Sequence, residues 1–161
     1  MDSQPQLSIP QLLHLADNAL IIGHRLSEWC GHGPALEQDI ALSNIALDYV
    51  GLARNWYQLA AENINEQNNT AEYPVNLQGQ ATEDTLAYLR DVYDYKNFLL
   101  LELPNGDWAV TTLRFFLFAS YQQLLLQALT HHNHPQVAAI AAKSLKEVTY
   151  HVRWSEDWVK L

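Results

Sequence analysis

The sequence predicts an all-α fold, a bundle of long helices joined by shorter pieces, and three observations predict it. Apolar residues recur three and four apart over long stretches, as the buried face of a helix requires. Capping residues and prolines stand where those stretches begin, and glycines or polar runs stand where they end. No strand-like alternation of useful length occurs, nor any internal repeat. At 161 residues and 48% apolar content the chain, residues 1–161, is expected to form a single domain around one core.

Ser8 can cap a first helix that starts near Pro10 and runs through "QLLHLADNALIIGHRLSEW", with Leu12, Leu15, Ala19, Ile22 and Leu26 on one face and Gly31 at its end. Gly33-Pro34 then opens a second helix, with Glu37 and Asp39 near the positive end of its dipole, that lasts to about Ile64. Its length of about 30 residues makes a rod of about 45 Å. Leu42, Ile45, Ala46, Tyr49, Leu52, Ala53, Trp56 and Ala60 form its core stripe, and the next stripe, which includes Asn44, Leu47 and Asp48, is mixed. Residues 63–80, "NINEQNNTAEYPVNLQGQ", are polar and aperiodic and read as a mobile loop.

Thr82, Glu83 and Asp84 begin a short helix through Leu89, and "YDYKNFLLLEL" reads as a further helical piece stopping at Pro104. Asp107 caps "WAVTTLRFFLFASYQQLLLQALT", which is apolar nearly all round and so belongs deep in a bundle or against a partner. "HHNHP" breaks that helix, and Pro135 starts a last one that is expected to be still in progress at Leu161.

Nine basic against eighteen acidic residues, net charge -9 with no basic stripe, disfavour a nucleic-acid partner. No apolar run approaches the roughly 18 residues of a membrane span. The single cysteine, Cys30, has no internal partner, and "MDSQPQLSIP" lacks the basic and apolar regions of a secretion signal, so a cytoplasmic location is expected.

Four-helix bundles can hold two iron or manganese ions with a Glu-x-x-His pair on each of two helices and one carboxylate from each of two others. None of the seven histidines here has an acid three positions before it. The stretch from Trp108 to the break at Pro135 carries no acid at all, so one wall of such a site lacks its ligand. A metal pair without anionic oxygens loses the Coulomb energy that offsets its desolvation, and no metal is expected in this chain.

Glu147 and His151, four apart, share a helix face and read as a local pair. Asp17 and Asp48 read as partly buried acids paired with cations such as Arg25 or Arg54. His131, His132 and His134 read as a solvated loop, and Cys30 as a packed side chain. No GxGxxG, Walker loop, GxSxG or CxxC motif offers another chemistry.

The strings "RLSEWCGHGP", "ALDYVGLARN", "LPNGDWA" and "KEVTYH", in this order, resemble one family: the non-catalytic C subunits of the bacterial phenylacetyl-CoA ring epoxidase. The resemblance covers nearly all of the chain outside the polar loop, and it implies a ferritin-like four-helix bundle with short extra helices. In that register Asn44 and Leu47 stand where a catalytic relative has glutamate and histidine on the second helix. Ala119 stands near the third helix's acid and Val148 at the last helix's glutamate, and only His151 and Asp17 keep a ligand type. Family members usually continue with further helices, so the resemblance also implies a C-terminally shortened chain, and the polar loop is longer than the family's.

The implied role is scaffolding of a partner catalytic subunit that holds the di-iron centre and epoxidises the ring of phenylacetyl-CoA, with a small subunit and a reductase in the wider complex. Surplus aromatics then suggest interface anchors, with Trp29, Trp56, Trp108, Trp154 and Trp158 as the candidates. Two other functions stay open at this point. One is a metal-dependent oxygenase with an irregular site built from Asp17, Asp48, Glu147 and His151. The other is a free-standing helical dimer.

Overall fold

The computed structural model describes residues 7–161, in which six α-helices and one 3-10 turn occur and no strand. Helix α1 spans Ile9–Ser27, α2 Leu36–Glu66, α3 Glu83–Tyr88, α4 Leu99–Glu102, α5 Trp108–Leu129 and α6 Pro135–Val159. Two antiparallel hairpins, α1 with α2 and α5 with α6, make the bundle, and α2 packs on α6 to join them. This is the all-helical arrangement of a ferritin-like bundle, with α3 laid on α2 and α4 on α1. None of the described helices is long and apolar enough to cross a membrane.

Local signals start most helices where the sequence places them. Ser8 and Gln11 form a reciprocal capping box on α1, Thr82 caps α3, and the Asp107 carboxylate accepts from the Val110 amide at 2.9 Å. Helix α2 differs: Gly33-Pro34 lie outside it, and the chain enters at Leu36. The preceding turn folds back on the helix, because Asp39 accepts from the Gly31 amide at 2.8 Å and a Cβ on Gly33 would lie 2.9 Å from Asp39 backbone atoms. Only glycine fits so close an approach.

The segment 63–80 is also corrected. Its first residues continue α2 to Glu66, and the Asn65 amide both donates to the Ala81 carbonyl and accepts from the Ala81 amide, each at 2.9 Å. That two-point clamp ties the far end of the polar stretch to the helix it leaves. "YDYKNFLLLEL" is not one helical piece: a 3-10 turn covers Val92–Asp94, the next four residues are extended, and α4 has four residues. Asp17 and Asn18 of α1 accept the Lys96 and Phe98 amides at 2.7 and 2.8 Å. Capture by α1 holds this segment extended.

Trp56, Tyr49, Tyr57, Phe115, Phe118, Leu12 and Ile22 centre the core. The expectation that α5 lies deep in the bundle is half right. Phe115, Phe118, Ala119, Gln122 and Leu126 face inward, but Val110, Leu113, Leu117, Tyr121 and Leu124 face out.

Candidate functional site

The centre of the bundle is where a ferritin-like protein can hold metals, and here three helices fill it. Helix α2 contributes Asp48 and Tyr49, α5 contributes Phe115, Phe118 and Ala119, and α6 contributes Val148 and His151. The Tyr49 ring stands 5.0 Å from the His151 ring, 6.0 Å from Phe115 and 5.9 Å from Phe118, centroid to centroid. Such spacings are those of packed aromatic pairs and leave no room for two ions and their bridging oxygens.

His151 is buried, and its Nε2 lies 2.9 Å from Asp48 Oδ2. Burial pushes the imidazole pKa down, against the upward pull of Asp48, and the net shift is downward. The ring is therefore a neutral donor: Nε2–H donates to the Asp48 carboxylate, while Nδ1 has no protein partner. Burial, helped by Asp48, pushes the Tyr49 phenol far up, so it too stays neutral. The donor set at the centre amounts to one carboxylate and one imidazole, and among the described residues no three His, Cys, Asp or Glu side chains gather in a way that could hold a metal ion. These residues do not fit a carboxylate-bridged metal pair.

The folded His151 binds its proton less readily than a free imidazole of pKa about 6.5. The unfolded chain therefore gains a proton first as pH falls, so the contribution of His151 to stability is full above about pH 6.5 and declines below it. Thermal unfolding across that range should show a falling midpoint on acidification, and His151→Gln should flatten the dependence. An equally steep profile in the variant would assign it to other groups.

Several sequence-based placements are corrected. Glu147 is not the partner of His151; the acid that meets it is Asp48, 103 positions away. Asn44 and Leu47 do not point into the centre, since both are exposed and Leu47 is 67% so. Ala119 and Val148 do line the core. Asp17 is fully buried but engaged elsewhere: it accepts from Arg90, from the Tyr57 hydroxyl at 2.5 Å and from the Lys96 amide. Neither Arg25 nor Arg54 takes the role foreseen for it, because Arg25 pairs with Glu28 and Arg54 with Glu83. Cys30 is exposed and not packed.

The tryptophans hold the bundle together internally. Trp108 receives Trp29, Trp158 and Trp154 edge-on at centroid distances of 5.2, 5.3 and 6.0 Å. The Trp154 and Trp158 indoles both donate to Gln38 Oε1 at 3.2 Å, and the Trp29 indole donates to Thr111. This cluster pins the C-terminal ends of α1 and α6 to the N-terminal ends of α2 and α5. Trp56 has no exposed surface at all and is a core residue, so it cannot be an interface anchor.

Comparison with known proteins adds an independent line. Residues 1–161 match the family model described as phenylacetic acid catabolic protein. The chain is 43% identical over 148 residues to the C subunit of the 1,2-phenylacetyl-CoA epoxidase of Escherichia coli (strain K12). That match covers 92% of this chain and 54% of the relative, so the chain spans about half the length of the curated relative that it matches. With an all-helical bundle and a match along its whole length, the chain belongs to the phenylacetic acid catabolic protein family.

Proposed function

We propose that this chain is a non-catalytic, structural subunit of a di-iron phenylacetyl-CoA epoxidase in aerobic phenylacetate catabolism, and that it supports an iron-bearing catalytic subunit. The observation that carries this reading is the filled centre of the bundle. Tyr49, Phe115, Phe118, Ala119 and Val148 fill the centre of the bundle, where among the described residues the carboxylate and imidazole of the Asp48–His151 pair are too few to ligate a metal pair. Oxygen activation and the iron belong, on this reading, to the partner. A small subunit and a reductase complete the assembly.

The outer face of α2 supports a partner surface. Leu36, Ile40, Leu47 and Val50 fall within one side of the helix and are all exposed. A homologous bundle would offer a long rigid face to cover them, and subunit interfaces of that kind are large and apolar.

Two measurements test the proposal. Anaerobic reconstitution with ferrous iron should leave the purified chain with almost none bound; about two ions per chain, the load of a carboxylate-bridged site, would overturn the non-catalytic reading. Co-expression with an iron-bearing subunit of the same family should give co-elution on size exclusion, and Leu47→Glu should abolish it. Two folded chains eluting apart would count against scaffolding.

A further inference from the structure

One dipeptide stands apart chemically. Of the asparagines in the chain only Asn105 is followed by glycine, in the turn that leads into α5. Asparagine is a thermolabile residue, and beside glycine, which has no side chain to shield its nitrogen, it is most open to attack by its own backbone. The Gly106 nitrogen bonds to the Asn105 Cγ, the side-chain nitrogen leaves as ammonia carrying the backbone proton, and a five-membered succinimide remains. Water then opens either carbonyl of the ring, giving aspartate or, with the main chain rerouted through the side chain, isoaspartate. The sum is hydrolysis of one amide, with solvent water as the co-reactant.

The fold takes hold of each part of this reacting unit. Asn105 Nδ2 donates to the Arg25 carbonyl in the last turn of α1 and to Glu28 Oε2, both at 2.8 Å, and Oδ1 accepts from the Arg114 guanidinium of α5. The Asn105 carbonyl accepts from the Thr111 hydroxyl at 2.7 Å, and that hydroxyl oxygen accepts from the Trp29 indole at 3.1 Å. Side-chain amide and main chain are both fixed, so turning Cγ onto the Gly106 nitrogen requires this node to open. Gly106 itself is exposed, with a φ of 64° that suits glycine, and water reaches the turn.

We propose that Asn105 is a deamidation site that the native fold keeps inert, and that its conversion is a one-way record of opening at this turn. Such a site reacts only from open chains, so its rate in the folded protein is the free-chain rate multiplied by the open fraction. The product cannot rebuild the node. A carboxylate at position 105 has no hydrogen to donate, so it sets oxygen against the Arg25 carbonyl and a second negative charge against Glu28, where the amide donated at 2.8 Å. Arg114 alone keeps its partner there. The isoaspartate form also lengthens the main chain just before Asp107, whose carboxylate caps α5. The chemistry is independent of any partner, so the purified chain suffices to test it.

The chain is incubated at mildly alkaline pH, folded in one arm and in guanidinium in the other, and digested with trypsin. Peptide 97–114, bounded by the cuts after Lys96 and Arg114, carries Asn97 as an internal control. Mass spectrometry should find Asn105 converted first in guanidinium, with isoaspartate among the products, and conversion in the folded chain at least about tenfold slower. Glu28→Ala, which frees one hydrogen of the amide, should raise the rate in the folded chain and leave the rate in guanidinium unchanged. Asn105→Asp, the product made directly, should melt about 4 to 8 °C below wild type. If that variant does not fold, the Glu28→Ala rates decide. Equal rates for Asn105 in the two arms, faster loss of Asn97, a folded-state rate untouched by Glu28→Ala, or a folded Asn105→Asp chain as stable as wild type would overturn the proposal.

Discussion

Replacing Arg90 by methionine is expected to destabilise the protein by about 3 to 5 kcal/mol, the usual effect of removing one member of a buried ion pair. The Arg90 and Asp17 side chains are 2% and 0% exposed, and Arg90 places two guanidinium nitrogens on the Asp17 carboxylate. Burial alone would lower the guanidinium pKa, but the hydrogen bond and charge of Asp17 outweigh it and the net shift is upward, so the guanidinium stays charged. The Tyr95 ring lies 4.3 Å from the guanidinium carbon, Tyr57 lies at 5.6 Å, and the Nε–H donates to the Leu86 carbonyl. Without the cation, Asp17 keeps two hydrogen bonds, from Tyr57 and the Lys96 amide, but no opposite charge in a fully buried site.

For a chain of this length, that loss corresponds to a fall in melting temperature of about 6 to 20 °C. The double variant Asp17→Asn with Arg90→Met should recover a large part of it, since no uncompensated charge remains. Thermal unfolding of the single and double variants decides the matter. A single variant that melts within about 2 °C of wild type would show that the pair contributes no more than a surface one. The position of Asp17 gives this network its architectural meaning. A first-helix acid that the family register would place at a metal serves here to clamp the 90–98 connection onto α1.

The second large effect is expected at Trp56. Truncation to alanine removes the largest fully buried side chain of the core and should cost about 3 to 5 kcal/mol, again roughly 6 to 20 °C in melting temperature. The comparison variant is Trp158→Ala, which loses one edge-on contact with Trp108 and the hydrogen bond to Gln38 at a partly exposed position. Its expected effect is about 1 to 2 kcal/mol. Were Trp56 an interface anchor, the order would reverse: Trp56→Ala would leave melting unchanged and weaken the complex instead.

What was legible in the sequence follows from the range of the interactions concerned. Helix starts depend on residues three or four apart: Ser8 with Gln11, Thr82 with Thr85, Asp107 with Val110. The core stripe of α2 was legible for the same reason, since Leu42, Ile45, Tyr49, Leu52 and Trp56 sit at helical spacing and are all buried. The lack of a Glu-x-x-His pair was a property of spacing alone, and the family resemblance rested on strings that comparison with known proteins supports.

The sequence by itself therefore determined an all-helical bundle, where most helices begin, and a chain without paired metal-ligand motifs. Tertiary structure decided which side chains meet. Each residue turns a helix by about 100°, so placing the relict ligand at Leu47 instead of Asp48 moves it from the His151 side to the outside. Asp17 with Arg90, Asp48 with His151 and the tryptophans around Trp108 join positions far apart in the chain, and no local spacing encodes such pairs. The open face of α5 is decided in the same way. A helix apolar all round has no preferred inward side of its own, and only the packing of its neighbours selects which leucines remain uncovered.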